Sequence, residues 1–186
     1  MPRASAPPLV PSLLPRLCVL FATASLCAAL GAAEVDPLRS AIERQFREGQ
    51  TAQAMQRIER AVAARPDDAG LRFLHSVLLA ESGRSAEAAV ALERLIQDFP
   101  EIPEPYNNLA ALHAAQGRLD SSRELLEAAL RADPGYLVAH RNLGDVFVRL
   151  ALRAYESAAA GRTTIDDALA NRLRLSRELA ELRPAR

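Results

Sequence analysis

Apolar and small side chains return along this chain at a step of 34 residues. Ala54, Ala88 and Ser122 make one series, Ile58, Leu92 and Leu126 a second, and Ala61, Leu95 and Ala129 a third. Gly49, Gly83 and Gly117 keep the same step, as do Pro66, Pro100 and Pro134. A fixed period of this length, with a turn glycine in the middle and a proline at the end, predicts a solenoid of helix–turn–helix units. The helices are expected near 35–48, 51–64, 69–82, 85–98, 103–116 and 119–132. After Pro134 the period lapses. Position 168 holds Ala where the next Pro would fall, and no Gly, Pro or turn cluster separates Leu150 from Ala151. One helix is therefore expected from near Tyr136 to about Ala160, ended by Gly161-Arg162-Thr163. In the last stretch Ile165, Leu169, Leu173, Leu175, Leu179 and Leu182 gather on one half of a helical wheel. Charged residues and Asn171 fill the other half, which suits a helix that caps an open-ended stack.

Each repeated residue type has a physical reason. Ala54, Ala88 and Ser122 are small where paired helices cross, so the two backbones can approach. The three glycines can take the positive φ that stops a helix, and the prolines lack the amide that continuation needs. Ser85, Asp67 or Asp68, and Thr163 or Thr164 are placed to cap helix starts. Pro103 and Pro105 suit a first helical turn.

The third repeat reads PEPYNNLAALHAAQGRLDSSRELLEAALRADP. Tyr106, Leu109, Ala110, His113, Ser122, Leu126, Ala129 and Pro134 stand in it at the signature positions of the tetratricopeptide repeat, and His140, Leu143, Gly144 and Phe147 open a fourth unit in the same way. The chain resembles that family of stacked antiparallel helix pairs, which bind other proteins. The first two repeats depart from the pattern on their leading helices, with Leu38, Ala41, Ile42 and Gln45 in one and Arg72, His75, Ser76 and Leu79 in the other. The resemblance implies an all-α, right-handed superhelical solenoid with a C-terminal capping helix: three repeats over 34–134, then a partial fourth repeat and cap over 135–186.

The resemblance also implies where a partner would sit. Ligand-facing positions of the family are the second, fifth, ninth, twelfth and thirteenth of each repeat. Counted from Val35, Ala69, Pro103 and Leu137, they supply Arg39, Glu43, Phe46 and Arg47; Phe73, Val77 and Glu81; Glu104 and Asn107; and Arg141, Asp145 and Arg149. Phe46, Phe73 and Val77 would form an apolar middle for a segment of another protein, unless the two phenylalanines close the helix pairs internally. Some family members grip a C-terminal carboxylate with Lys, Arg and Asn. The matching positions here are Arg39, Glu43, Leu74, Glu104 and Asn108, and Glu43 and Glu104 would repel such a group. Asn108 and Asn142, at one position of successive repeats, are expected to serve the repeat itself.

Composition narrows the remaining choices. Hydrophobic residues make up 49% of the chain but aromatics only 4%, as thin, closely packed helices require. All 23 basic residues are arginine, balanced by 23 acids. Arg3 and Arg16 lie in the N-terminal segment, so the rest carries 21 against 23 and a net charge of −2. Nothing in that balance favours nucleic acid or an anionic membrane.

Residues 1–33 have the layout of a secretory signal peptide: Arg3 and Arg16, an uncharged apolar run from Leu17 to Leu30, then Gly31-Ala32-Ala33 before Glu34. The run is shorter than the roughly 20 residues a membrane-spanning helix needs. The expected location is therefore periplasmic, in a bacterial envelope. The competing readings are an anchor through residues 17–30 or lipid at Cys27, where Leu26 occupies a place that lipidation wants small. Both cysteines, Cys18 and Cys27, fall in this segment, so its removal leaves no thiol for a disulfide, a metal or catalysis.

No catalytic or metal constellation is expected. His75, His113 and His140 do not fall at a metal-ligand spacing, and His113 and His140 occupy packing positions of the repeat. The acid pairs Asp67-Asp68 and Asp166-Asp167 stand at helix starts, and Ser121-Ser122 has no base nearby. The sequence therefore predicts a protein-interaction scaffold with no cofactor and no small-molecule substrate. The alternative is a membrane-anchored or self-associating structural subunit that uses the end of the stack.

Overall fold

The computed structural model describes residues 36–182. The segment read above as a signal peptide, with Cys18 and Cys27, lies outside the described residues. Eight helices follow one another, with no strand among the described residues: α1 (Pro37–Arg47), α2 (Thr51–Ala64), α3 (Ala69–Glu81), α4 (Ser85–Asp98), α5 (Pro103–Ala115), α6 (Leu119–Ala132), α7 (Leu137–Ala159) and α8 (Asp167–Glu181). Each helix packs on the next in the chain, and the leading helices also meet, α1 against α3 and α5 against α7. The result is an all-α solenoid of helix pairs. None of the described helices is long and apolar enough to cross a membrane.

The turns explain the period. Gly49, Gly83 and Gly117 have φ of +81°, +79° and +76°, the left-handed conformation that a side chain disfavours. Each lets the next amide reach back five residues: Gln50 to the Gln45 carbonyl, Arg84 to Leu79, and Arg118 to His113. This closure turns the chain within three residues. It also removes the need for a side-chain cap, so α4 starts with Arg84 at its N-cap and no capping bond. Ser85, expected to cap, is instead the first residue inside the helix. Three other helix starts, those of α1, α3 and α8, use aspartate. Asp36 accepts from the Leu38 amide, Asp68 from Leu71 and Asp166 from Leu169. Asp166 therefore takes the capping role that Thr163 and Thr164 were expected to fill.

Two cores meet at α5. The first gathers Ile42, Ile58, Leu71, Leu92 and their neighbours from α1 to α5, and takes Leu109 and Leu112 from one side of α5. The second takes Ala110 and Ala114 from the other side and adds Leu119, Leu126, Ala129, Tyr136, Ala139 and Val146. Ala54, Ala88 and Ser122 are fully buried, as close helix crossings demand. The Ser122 hydroxyl finds no partner there, so its position tolerates a hydroxyl without using it.

The end of the stack departs from expectation. Among the described residues the helix α8 packs chiefly on α7, and an Arg177–Glu156 ion pair of 3.2 Å joins them. Only Leu173 and Ser176 of α8 are buried, while Leu175, Leu179 and Leu182 are 46%, 53% and 70% exposed. One neighbouring helix covers a narrow sector of α8, and an apolar face half a turn wide exceeds it. The cap is therefore only half seated.

Candidate functional site

The leading helices build one face of the solenoid, and a narrow cavity of about 50 Å³ opens there. Arg39 and Glu43 come from α1, Ala69, Gly70, Phe73, Leu74 and Val77 from α3, and Glu104 from the first turn of α5. Leu95 of α4 and Ile102 of the following loop close the floor. The Asp68 cap starts α3 so that Gly70, Phe73, Leu74 and Val77 recur at helical spacing along the face. Gly70 leaves room for Arg39, since a Cβ there would lie 2.7 Å from Nη1 of that side chain.

The polar groups of this pocket are poorly satisfied from within. Glu104 is 7% exposed, yet its Oε2 has no hydrogen-bond partner. Nε of Arg39 is likewise buried and unpartnered. Neither residue makes an ion pair among the described residues. Burial pushes the Glu104 carboxyl above its ordinary range and Asp133 adds to the push, against a weaker opposing bond to its own amide. Burial also pushes the nearby Tyr136 phenol up, with Glu104 and Asp133 acting in the same direction. A shallower hollow between α2, α3 and α4 holds His75 and Arg94. Burial holds the His75 imidazole below its usual pKa there.

Of the residues expected to face a partner, Arg39, Glu43, Phe73, Val77 and Glu104 meet in the one pocket. Phe46 does not line it; it is half-buried against the first core. Phe73 does both, packing on that core while lining the pocket. Arg47 is exposed and pairs with Glu43 at 3.8 Å. Glu81 is exposed at the end of α3, where partial desolvation by its neighbours pushes its carboxyl up, with Arg47 opposing. Arg141 and Asp145 are exposed on α7. Arg149 donates to the Ala114 carbonyl at 3.0 Å, at the end of α5. Asn107 is 1% exposed; its Oδ1 accepts from Asn142 at 2.7 Å and its amide donates to Asn108. Asn107 therefore ties α5 to α7 and presents nothing to the surface, a correction to its placement as a groove residue.

The sequence profile of the tetratricopeptide repeat matches residues 45–114 and 79–143, more than half of the chain. The chain belongs to the tetratricopeptide repeat family. It is 44% identical over 69 residues to the TPR repeat-containing thioredoxin TTL4 of Arabidopsis thaliana, an alignment covering 37% of this chain and 10% of that protein. The curated relatives it matches are much longer, and it spans between 10% and 28% of each. Among solved structures it is similar to the first TPR domain of RPAP3 bound to the HSP90 peptide SRMEEVD, with TM-score 0.55, 18% identity, and 61% of this chain and 90% of that one covered. It is also similar to MamA of Desulfovibrio magneticus RS-1, with TM-score 0.53, 19% identity, and 77% and 73% covered.

Within this tetratricopeptide fold the groove draws on more than its leading helices. Leu95 and Ile102 escaped a reading restricted to those helices because a second helix and a loop supply the floor. Gly70 occupies the second position of its repeat, as Glu104 does in the next, and lines the pocket without a side chain.

Proposed function

We propose that the chain is a protein-interaction module that binds an extended or helical segment of a partner across the α1–α3–α5 face, seating an apolar side chain on Phe73 and Val77. The supporting observation is the pocket itself, an apolar floor of Leu74, Leu95 and Ile102 under a rim of Arg39, Glu43 and Glu104. Buried apolar floors with a few fixed polar groups are the usual form of a recognition site. The peptide-bound tetratricopeptide domain of RPAP3 lends the reading family support.

Peptides selected from a random dodecapeptide display library on the full chain provide the test. Phe73→Ala should weaken the selected peptides about tenfold or more, the size of one lost anchor. Phe46→Ala removes comparable packing from the same core without touching the pocket, and should leave their affinity within about twofold while circular dichroism stays helical. Equal losses in the two variants would place binding elsewhere.

The periplasmic location is carried by residues 1–33 alone. Protein from the soluble envelope fraction should have an intact mass beginning at Glu34. A species that keeps residues 1–33, or carries lipid at Cys27, would replace this with a membrane-anchored module.

A further inference from the structure

We infer that the pocket selects a cationic side chain, a lysine ammonium or an arginine guanidinium, borne by the partner segment beside its apolar anchor; this rests on the groove reading above. Glu104 is more than nine-tenths buried and lines the cavity, and its Oε2 is left without a donor. A buried carboxylate in that condition is costly, and among the described residues none donates to Oε2 or pairs with the charge. Arg39 lines the same cavity without forming an ion pair to Glu104, and Asp133 adds repulsion. A donor arriving from outside removes the deficit.

Charge decides which donor. Of the two acids in the lining, Glu43 already has a cation in Arg47 at 3.8 Å, while Glu104 has none, so its negative charge is the one left unpaired. A neutral amide or hydroxyl could satisfy Oε2 but would leave that charge. A cation satisfies the oxygen and neutralises that charge, through a charge-assisted bond roughly twice as strong as a neutral one. The apolar floor of Leu74, Val77, Leu95 and Ile102 suits the methylene stem of such a side chain, and the cavity has room for its head group. The unpartnered Nε of Arg39 then takes a backbone carbonyl of the same segment, which adds no net charge. An incoming carboxylate meets the opposite situation, with two acids facing it.

The same dodecapeptide selection on the full chain tests this, read now for composition. Lys or Arg should be enriched next to an aliphatic or aromatic residue. In a synthetic selected peptide, replacing that lysine by norleucine should cost tenfold or more on the wild-type chain, a ratio that needs no variant. On Glu104→Gln the lysine-to-norleucine ratio should fall towards one while the norleucine peptide binds both proteins alike. Glu104→Gln should melt no lower than wild type at neutral pH, because it removes an unpaired buried charge. Apolar peptides without basic bias, acidic peptides, or a ratio unchanged in Glu104→Gln would each overturn the cationic preference. The groove reading would survive those results if Phe73→Ala still weakens binding. Failure to enrich any peptide over a Phe73→Ala control would overturn both.

Discussion

Leu92→Ala should unfold at a markedly lower denaturant concentration than wild type, losing about 2–5 kcal/mol. Leu92 is 1% exposed in the core shared by the first five helices, and it stands on α4 four residues after Ala88 at the helix crossing. Removing its side chain takes away transfer free energy and leaves a cavity between rigid backbones that the tight turns prevent from closing. A loss of this size is a large share of the roughly 5–15 kcal/mol that holds a domain folded. The slope of the transition carries a second reading. Repeat stacks hold together through nearest-neighbour interfaces, so a lower slope would mean that the pairs on either side of α4 unfold separately. A loss under about 1 kcal/mol would show that the site collapses freely, contrary to the sealed packing seen at Leu92.

Asn142→Ala should cost about 1–3 kcal/mol although Asn142 is only partly buried, because it strands the Asn107 carbonyl oxygen in a site that is 1% exposed. The paired change Asn107→Leu with Asn142→Leu should be far milder than the two single changes suggest. Two apolar side chains of similar shape then face each other, and the atom left without its donor, Asn108 Oδ1, is one that Asn107→Leu alone already strands. Equilibrium unfolding of the four proteins forms a double-mutant cycle, and a coupling near zero would deny the bond its role. The peptide affinities of all variants that fold should match wild type, since Asn107 does not line the pocket. A selective loss of affinity in Asn107→Leu with Asn142→Leu would return Asn107 to the groove.

Much of the architecture was legible before any coordinates. The expected helix limits and those observed agree to within two residues through α6, and α7 runs on to Ala159 where no turn residue interrupts it. The signals responsible are local. A glycine that must take positive φ, a proline that cannot donate, and a small residue at a crossing each act within a few residues of themselves. Their regular return leaves one register for the helices. Capping was less legible. Ser85, Thr163 and Thr164 have the right chemistry for a cap, but the five-residue backbone closure or a nearby aspartate already serves those helix starts.

The sequence by itself determined the repeat, the turns and the faces of the helices, because each depends on backbone conformation over a span no longer than one period. Only the tertiary structure decided which residues of those faces are free to meet a partner. Arg39, Phe73 and Glu104 converge from three helices around a floor supplied by Leu95 and Ile102, whereas Asn107, in the same repeat as Glu104, is turned inward by Asn142 from the next unit. Phe46 is drawn against the core and Arg149 into the end of α5, while Leu175 and Leu179 stay exposed because α8 packs chiefly on α7 among the described residues. A period places Cα positions. Whether a side chain is captured by a hydrogen bond or a packing partner some 34 residues away is settled by distances between helices, and those exist only once the stack has formed.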